Sequence, residues 1–209
     1  MASDIQKLIG LHPSSSDLVA HVSALAEKAS IPEATTPEVK SYSDAVYFNY
    51  YALGVSLLFK PINGYVPKTG LKLEELQAKA LVLDGVDIYN APPPKAGINA
   101  SRTTKSLYTS YPLLPTTLNL ATVEGKNRPE SFAVTPQTTG KDFVSAFGEP
   151  NRKGGGVGPS SGSIGIWCEW TKDGVMVEFG GEESRGPQAW ERGKDAVWKI
   201  MSIFAQKAD

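Results

Sequence analysis

Cysteine occurs once in the 209 residues, at Cys168, and histidine only twice, at His12 and His21. A single thiol cannot close an internal disulfide, which agrees with a reducing compartment. So small a stock of thiolate and imidazole argues against a zinc site and against Cys–His nucleophilic catalysis, and no metal ligand set is assigned. No apolar run approaches the ~18 residues that a membrane span needs, and Met1-Ala2-Ser3-Asp4 does not open a basic segment followed by an apolar one. The expectation is a cytoplasmic protein with no membrane partner. An excess of either charge is also missing: 21 basic against 22 acidic residues leave a net charge of −1. Binding to nucleic acid through a bulk field is therefore not expected. The chain carries no nucleotide-binding or cofactor fingerprint, so no cofactor is assigned.

What is present is the composition of a packed protein, 41% hydrophobic and 21% charged, long enough for one large domain or two small ones. An internal repeat decides between readings. The segment from Val46 to Phe59 aligns without a gap on Ile166 to Phe179 at an offset of 120 (174 − 54), matching Gly54 to Gly174, Val55 to Val175 and Phe59 to Phe179, and aromatic Tyr50 to aromatic Trp170. Each reads as strand, glycine-closed turn and strand. Upstream of each, Ser14 to Asp17 and Thr139 to Asp142 place an acid three residues after a hydroxyl, which predicts a capped helix start. Leu18, Val19, Val22 and Leu25 continue the first helix, and Phe143, Val144 and Phe147 the second, before Gly148-Glu149-Pro150 stops it. Downstream, Leu76 to Leu83 and Ala196 to Phe204 fit either a helix or a two-faced strand, and the repeat favours a strand. Leu118 to Val123 and Phe132 to Val134 add candidate strands at the start of the second half.

The predicted class is α+β, with two tandem units of one short helix on a small antiparallel sheet. They cover 1–90 and 113–209 and are joined by a proline-rich, irregular segment over 91–112. Two such units, with Phe143-Val144-Ser145-Ala146-Phe147-Gly148-Glu149-Pro150 followed by Gly154-Gly155-Gly156 and Ile166-Trp167, resemble the tandem-repeat fold of the β-lactamase inhibitory protein. The single unit is similar to the small outer-membrane assembly lipoproteins of the BamE/SmpA class. The resemblance implies a binding scaffold rather than an enzyme.

Strand alternation separates the faces of the two hairpins. Phe48, Tyr50, Val55, Leu57 and Phe59 in the first, and Ile166, Cys168, Trp170, Val175, Val177 and Phe179 in the second, make core faces. The opposite faces carry Tyr47, Asn49, Ser56 and Leu58 in one and Trp167, Glu169, Met176 and Glu178 in the other. Aromatic, methionine and acidic side chains together suit contact with a protein partner, unless the linker or the other unit covers them. Were Asp173-Gly174 a two-residue turn, Glu169 would oppose Glu178, and the pair could work as acid and base on a small molecule or hold a cation; a longer loop would separate them. Aromatics beside carboxylates would also serve a carbohydrate. Trp190 and Arg192, in a polar loop, are residue types that dominate binding hot spots. The run from Arg152 to Ser163 is rich in glycine and serine, but it follows a helix and leads into a strand, the reverse of phosphate-binding loops. Cys168 is in phase with the core and reads as a structural thiol.

Overall fold

The computed structural model describes residues 4–91, 107–123, 127–156 and 165–206. Most of the proline-rich connection, 92–97, and the later part of the glycine-rich run, 157–163, lie outside the described residues. The chain divides into two compact units, Met1–Leu113 and Leu114–Asp209. The fold is α+β, with few helices and antiparallel strand pairing throughout.

In the first unit a 3-10 turn at Ile5–Leu8 precedes helix α1, Ser16–Lys28. The helix starts one residue later than the capping pattern predicts: Ser15, not Ser14, accepts the Leu18 N–H at 3.4 Å. Asp17 then sits in the first turn, where the helix dipole favours an acid. Leu18, His21, Val22, Leu25 and Ala26 make the buried stripe, and Val19, about 100° round the helix from Leu18, falls outside it and is 54% exposed. Strands β1 (Glu38–Ser41), β2 (Val46–Tyr50), β3 (Val55–Pro61) and β4 (Leu81–Tyr89) pair in that order. The expected run from Leu76 divides: 73–75 and 78–80 are 3-10 turns, and the strand begins at Leu81. Between β2 and β3, Tyr50 opposes Val55 and Phe48 opposes Leu57. Between β3 and β4 the register slips at one point, where Leu58 opposes Gly85 but Phe59 opposes Leu83. Asp84 is the extra residue of that bulge, and its carboxylate meets Lys60 at 2.8 Å.

Segment 107–111, left unassigned by the sequence, packs on this unit. Tyr111 is buried, and its hydroxyl lies 3.0 Å from Nε2 of His21, which is 2% exposed on α1. Burial lowers the His21 pKa to about 4.

The second unit begins with a hairpin of β5 (Thr116–Asn119) and β6 (Ser131–Val134), followed by helix α2, Gly140–Phe147. Its start agrees with the capping pattern: the Thr139 N–H donates to the Asp142 carboxylate at 2.8 Å. Phe143 and Phe147 are buried and Val144 is 38% exposed. Four strands follow, β7 (Arg152–Gly154), β8 (Trp167–Trp170), β9 (Val175–Phe179) and β10 (Trp198–Phe204), with a short helix α3 (Ala189–Arg192) before the last. They pair antiparallel in the order β7-β8-β9-β10. Phe143, Phe147, Phe179 and Trp170 form one aromatic core, with Phe132 of β6 against both helix phenylalanines. The helix stop is tied into it, since the Trp170 indole N–H donates to the Gly148 carbonyl at 2.8 Å.

A buried ion pair joins the hairpin to this core. The Arg128 guanidinium engages both oxygens of Asp173, and it also donates to the carbonyls of Ala121 and Phe147. Asp173 accepts the Ala121 N–H at 2.8 Å as well. The two side chains are 9% and 1% exposed. Arg128 makes five donor contacts and the Asp173 carboxylate accepts three bonds, which offsets desolvation; removing one partner strands a buried charge.

Two stability measurements follow. Below pH 6.5 an unfolded His21 takes up a proton that the folded chain refuses until about pH 4, so His21 contributes stability that is present above pH 6.5 and lost as the pH falls to about 4. Over that window urea midpoints of the first unit, read by tyrosine absorbance, should fall by the equivalent of about 3 kcal/mol more in the wild type than in His21→Gln. Equal slopes would show that the imidazole is not held neutral. Asp173→Ala should cost the second unit about 3–5 kcal/mol by tryptophan fluorescence, against less than half of that for the combined change Arg128→Met and Asp173→Leu.

Candidate functional site

The turn between β8 and β9 fixes which side chains oppose one another on the outward face of the second unit. It spans 171–174, not two residues, so Trp170 opposes Val175, Glu169 opposes Met176, and Trp167 opposes Glu178. The two carboxylates, expected to face each other if the turn were tight, are diagonal neighbours, a relation that separates α-carbons by about 7–8 Å. Each has its own cation. Arg152 lies directly across β7 from Glu169 and donates to it at 3.2 Å, while Lys199 reaches Glu178 at 3.1 Å. Glu169 is buried, and the expectation that it lies on open surface fails because the Arg152 side chain and the neighbouring strands enclose it. No shared proton is needed to relieve this arrangement, since opposite charges sit across the strands instead of like ones.

Trp167 is half-buried and rests along the β7 edge. Gly154 is its cross-strand partner, and a Cβ built there would come 2.8 Å from the indole ring, so the glycine makes room for the ring. The Arg152 guanidinium sits 5.9 Å from the ring centroid on the same face. Cys168 is 6% exposed on the opposite, inner side, and burial pushes its pKa up to about 11, so it is a neutral thiol at ordinary pH.

In the first unit the outward face is partly closed. Asn49 was expected to be available to a partner, but it is 6% exposed. Its Oδ1 accepts from the Ser56 hydroxyl at 2.9 Å and from the Tyr108 hydroxyl at 2.6 Å, and its Nδ2 donates to the Glu38 carbonyl at 3.2 Å. Tyr108 is the cover: its ring stacks on Tyr89 at 3.7 Å and tilts against Tyr51 at 4.7 Å. Leu58 and Tyr47 remain part-exposed beside this cover. Tyr47 meets Tyr42 edge-on at 6.1 Å, and the two, with Lys40 and Asp44, line an open cleft of about 470 Å³.

The structure thus groups the expected residues into three places. Tyr47 and Leu58 face outward on the first sheet, with Asn49 sealed beneath Tyr108. Trp167, Glu169, Met176 and Glu178 share the outward face of the second. Trp190 and Arg192 lie on α3, where Trp190 is 44% exposed and Arg192 donates to the carbonyls of Glu182 and Arg185, a contact that shapes its own loop. Tyr42, Tyr89 and Tyr108 escaped the sequence reading, yet a signal existed: all eight tyrosines precede residue 113 and all four tryptophans follow residue 166. Among the described residues no group of three or more His, Cys, Asp or Glu side chains is placed to hold a metal ion, and no helix is long and apolar enough to cross a membrane.

No protein-family model matches the chain, and neither does any curated protein or solved structure.

The sealed asparagine separates structural from surface roles. Asn49→Ala leaves two hydroxyls without an acceptor and should destabilise the first unit by about 2–3 kcal/mol, whereas Tyr47→Ala should cost less than about 1. Urea unfolding read by tyrosine absorbance checks the ranking.

Proposed function

We propose that the chain is a non-catalytic interaction module built from two copies of one helix-and-sheet unit, with the outward aromatic residues of its sheets as the contact surface for a protein partner. The register supports the duplication residue by residue. Val55 opposes Ile88 as Val175 opposes Ile203, and the bulge falls at the same step, Leu58 to Gly85 then Phe59 to Leu83 in one unit and Glu178 to Ile200 then Phe179 to Trp198 in the other. Gly54 and Gly174 both adopt positive φ, at 60° and 65°. Their carbonyls accept equivalent bonds, from the Tyr89 N–H at 3.0 Å and the Phe204 N–H at 2.8 Å.

On this alignment Tyr47 is equivalent to Trp167, so both units offer a part-exposed aromatic ring at one sheet position. This pairing is the observation that carries the functional reading. Large aromatics beside a guanidinium are the groups from which most interface energy comes. Glu169 and Glu178, each bound to a cation, give such a face orientation and charge pattern and lack the freedom of an acid–base couple.

The test compares the full chain with a Tyr47→Ala, Trp167→Ala variant as immobilised baits in native cell extract, with quantitative mass spectrometry of what is retained. A specific protein retained about tenfold better by the wild type is the expected outcome, corresponding to about 1.4 kcal/mol. Indistinguishable retention profiles would remove the sheet faces from the function.

A further inference from the structure

The second unit contains a groove that the sheet-face reading does not use. It has a volume of about 270 Å³ and runs between α2, the inner side of β8 and α3. Buried Ile166, Cys168 and Phe179 meet the exposed Val144 and Trp190 there. An apolar groove flanked by two exposed large hydrophobic side chains is a place where a ligand removes area from water at little cost in polar desolvation.

Its charge is of one sign. Lys141 and Lys194 line it, held side by side because the Lys141 N–H donates to the Lys194 carbonyl at 2.8 Å. Lys153 joins them: it opposes Cys168 across β7 and β8, and its ammonium sits 5.7 Å from the Trp190 ring centroid. Among the described residues none of the three lysines is in an ion pair. Of the acids around it, Asp142 is taken up in capping Thr139, while Glu149 lies close enough to Cys168 to oppose its ionisation, and Glu191 and Asp195 follow Trp190 and Lys194 in the chain without lining the groove. The start of α2 contributes little, since the Gly140 and Lys141 amides already donate to the carbonyls of Ala196 and Lys194.

We propose that this groove binds a small amphipathic carboxylate, with its apolar tail against Ile166, Phe179 and Trp190 and its head between the Lys141 and Lys194 ammonium groups. The volume suits a small tail: about 270 Å³ is on the order of nine water-sized volumes of about 30 Å³ each, comparable with an eight-carbon chain. The lysines set the head-group chemistry, because a neutral head would leave them as they are while a carboxylate gains charge-assisted hydrogen bonds.

The test is calorimetric titration of the full chain with sodium octanoate below its micellar range, with octan-1-ol and acetate as tail-only and head-only controls, repeated on Lys141→Gln, Lys194→Gln. Saturable octanoate binding, weakened about tenfold in the double variant and at least as much for octan-1-ol, is the expected result. A quench or shift of tryptophan emission that saturates with the heat and disappears in Trp190→Phe would locate the tail. The proposal is overturned by the absence of saturable octanoate binding, by equal affinity for octanoate and octan-1-ol, by acetate binding as tightly as octanoate, or by a double variant that binds like the wild type. None of these outcomes bears on whether the sheet faces bind a protein.

Discussion

A glycine in left-handed conformation, pressed against a neighbouring backbone, sets the geometry of the β2–β3 hairpin and of the β8–β9 hairpin. A Cβ at Gly54 would lie 2.6 Å from the Tyr111 amide nitrogen, and one at Gly174 would lie 3.2 Å from the Gln206 nitrogen, with the Thr109 and Phe204 carbonyls nearer still. No other residue combines that backbone conformation with that approach. Because each glycine closes a turn of four residues, β2 and β3, and likewise β8 and β9, are locked in one register, and every side chain on both faces follows from it. The diagonal placement of Glu169 and Glu178 and the bond between Asn49 and Ser56 are downstream of these two positions.

The units stabilise their polar interiors by different means. In the first, neutral groups meet: His21 with Tyr111, and Asn49 with Ser56 and Tyr108. In the second, a full charge pair, Arg128 with Asp173, clasps the β5–β6 hairpin. A buried ion pair is a poor source of net stability compared with apolar packing, but it penalises any arrangement that separates its partners. Its three elements, the β5–β6 connection, the end of α2 and the β8–β9 turn, are thereby held to one mutual placement. The Trp170 indole bond to Gly148 acts on the same helix end, so the stop encoded by Gly148-Glu149-Pro150 is also an anchor to the sheet.

Much of this organisation was legible in the sequence. The alternation of the hairpin strands and the phase of Cys168 each rest on a local period, and local periods survive in one dimension. The register was not legible, because Thr171-Lys172-Asp173-Gly174 is compatible with a two-residue or a four-residue turn, and its bonds from outside the hairpin come from distant residues: Phe204 to Gly174, Arg128 to Asp173 and Asn151 to Thr171. Burial of Asn49 and Glu169 was invisible for a related reason: their covers, Tyr108 and Arg152, come from a segment without periodicity and from a three-residue strand. The ambiguity of Ala196 to Phe204 has its own cause. An extra residue at Lys199 breaks the two-residue period, which leaves Val197, Ile200, Met201 and Phe204 at spacings that imitate a helix.

That extra residue behaves like a silent character in a reading frame. With Lys199 omitted, Trp198, Ile200, Met201, Ser202 and Ile203 alternate inward and outward without a break, and with Asp84 omitted so do Leu83, Gly85, Val86, Asp87 and Ile88. The bulge absorbs one residue of chain and leaves the order of faces on either side unchanged. A strand of this kind can lengthen by a residue at that point while its core remains spelled as before, and the added position is free to carry a charge outward, as Asp84 does to Lys60 and Lys199 to Glu178.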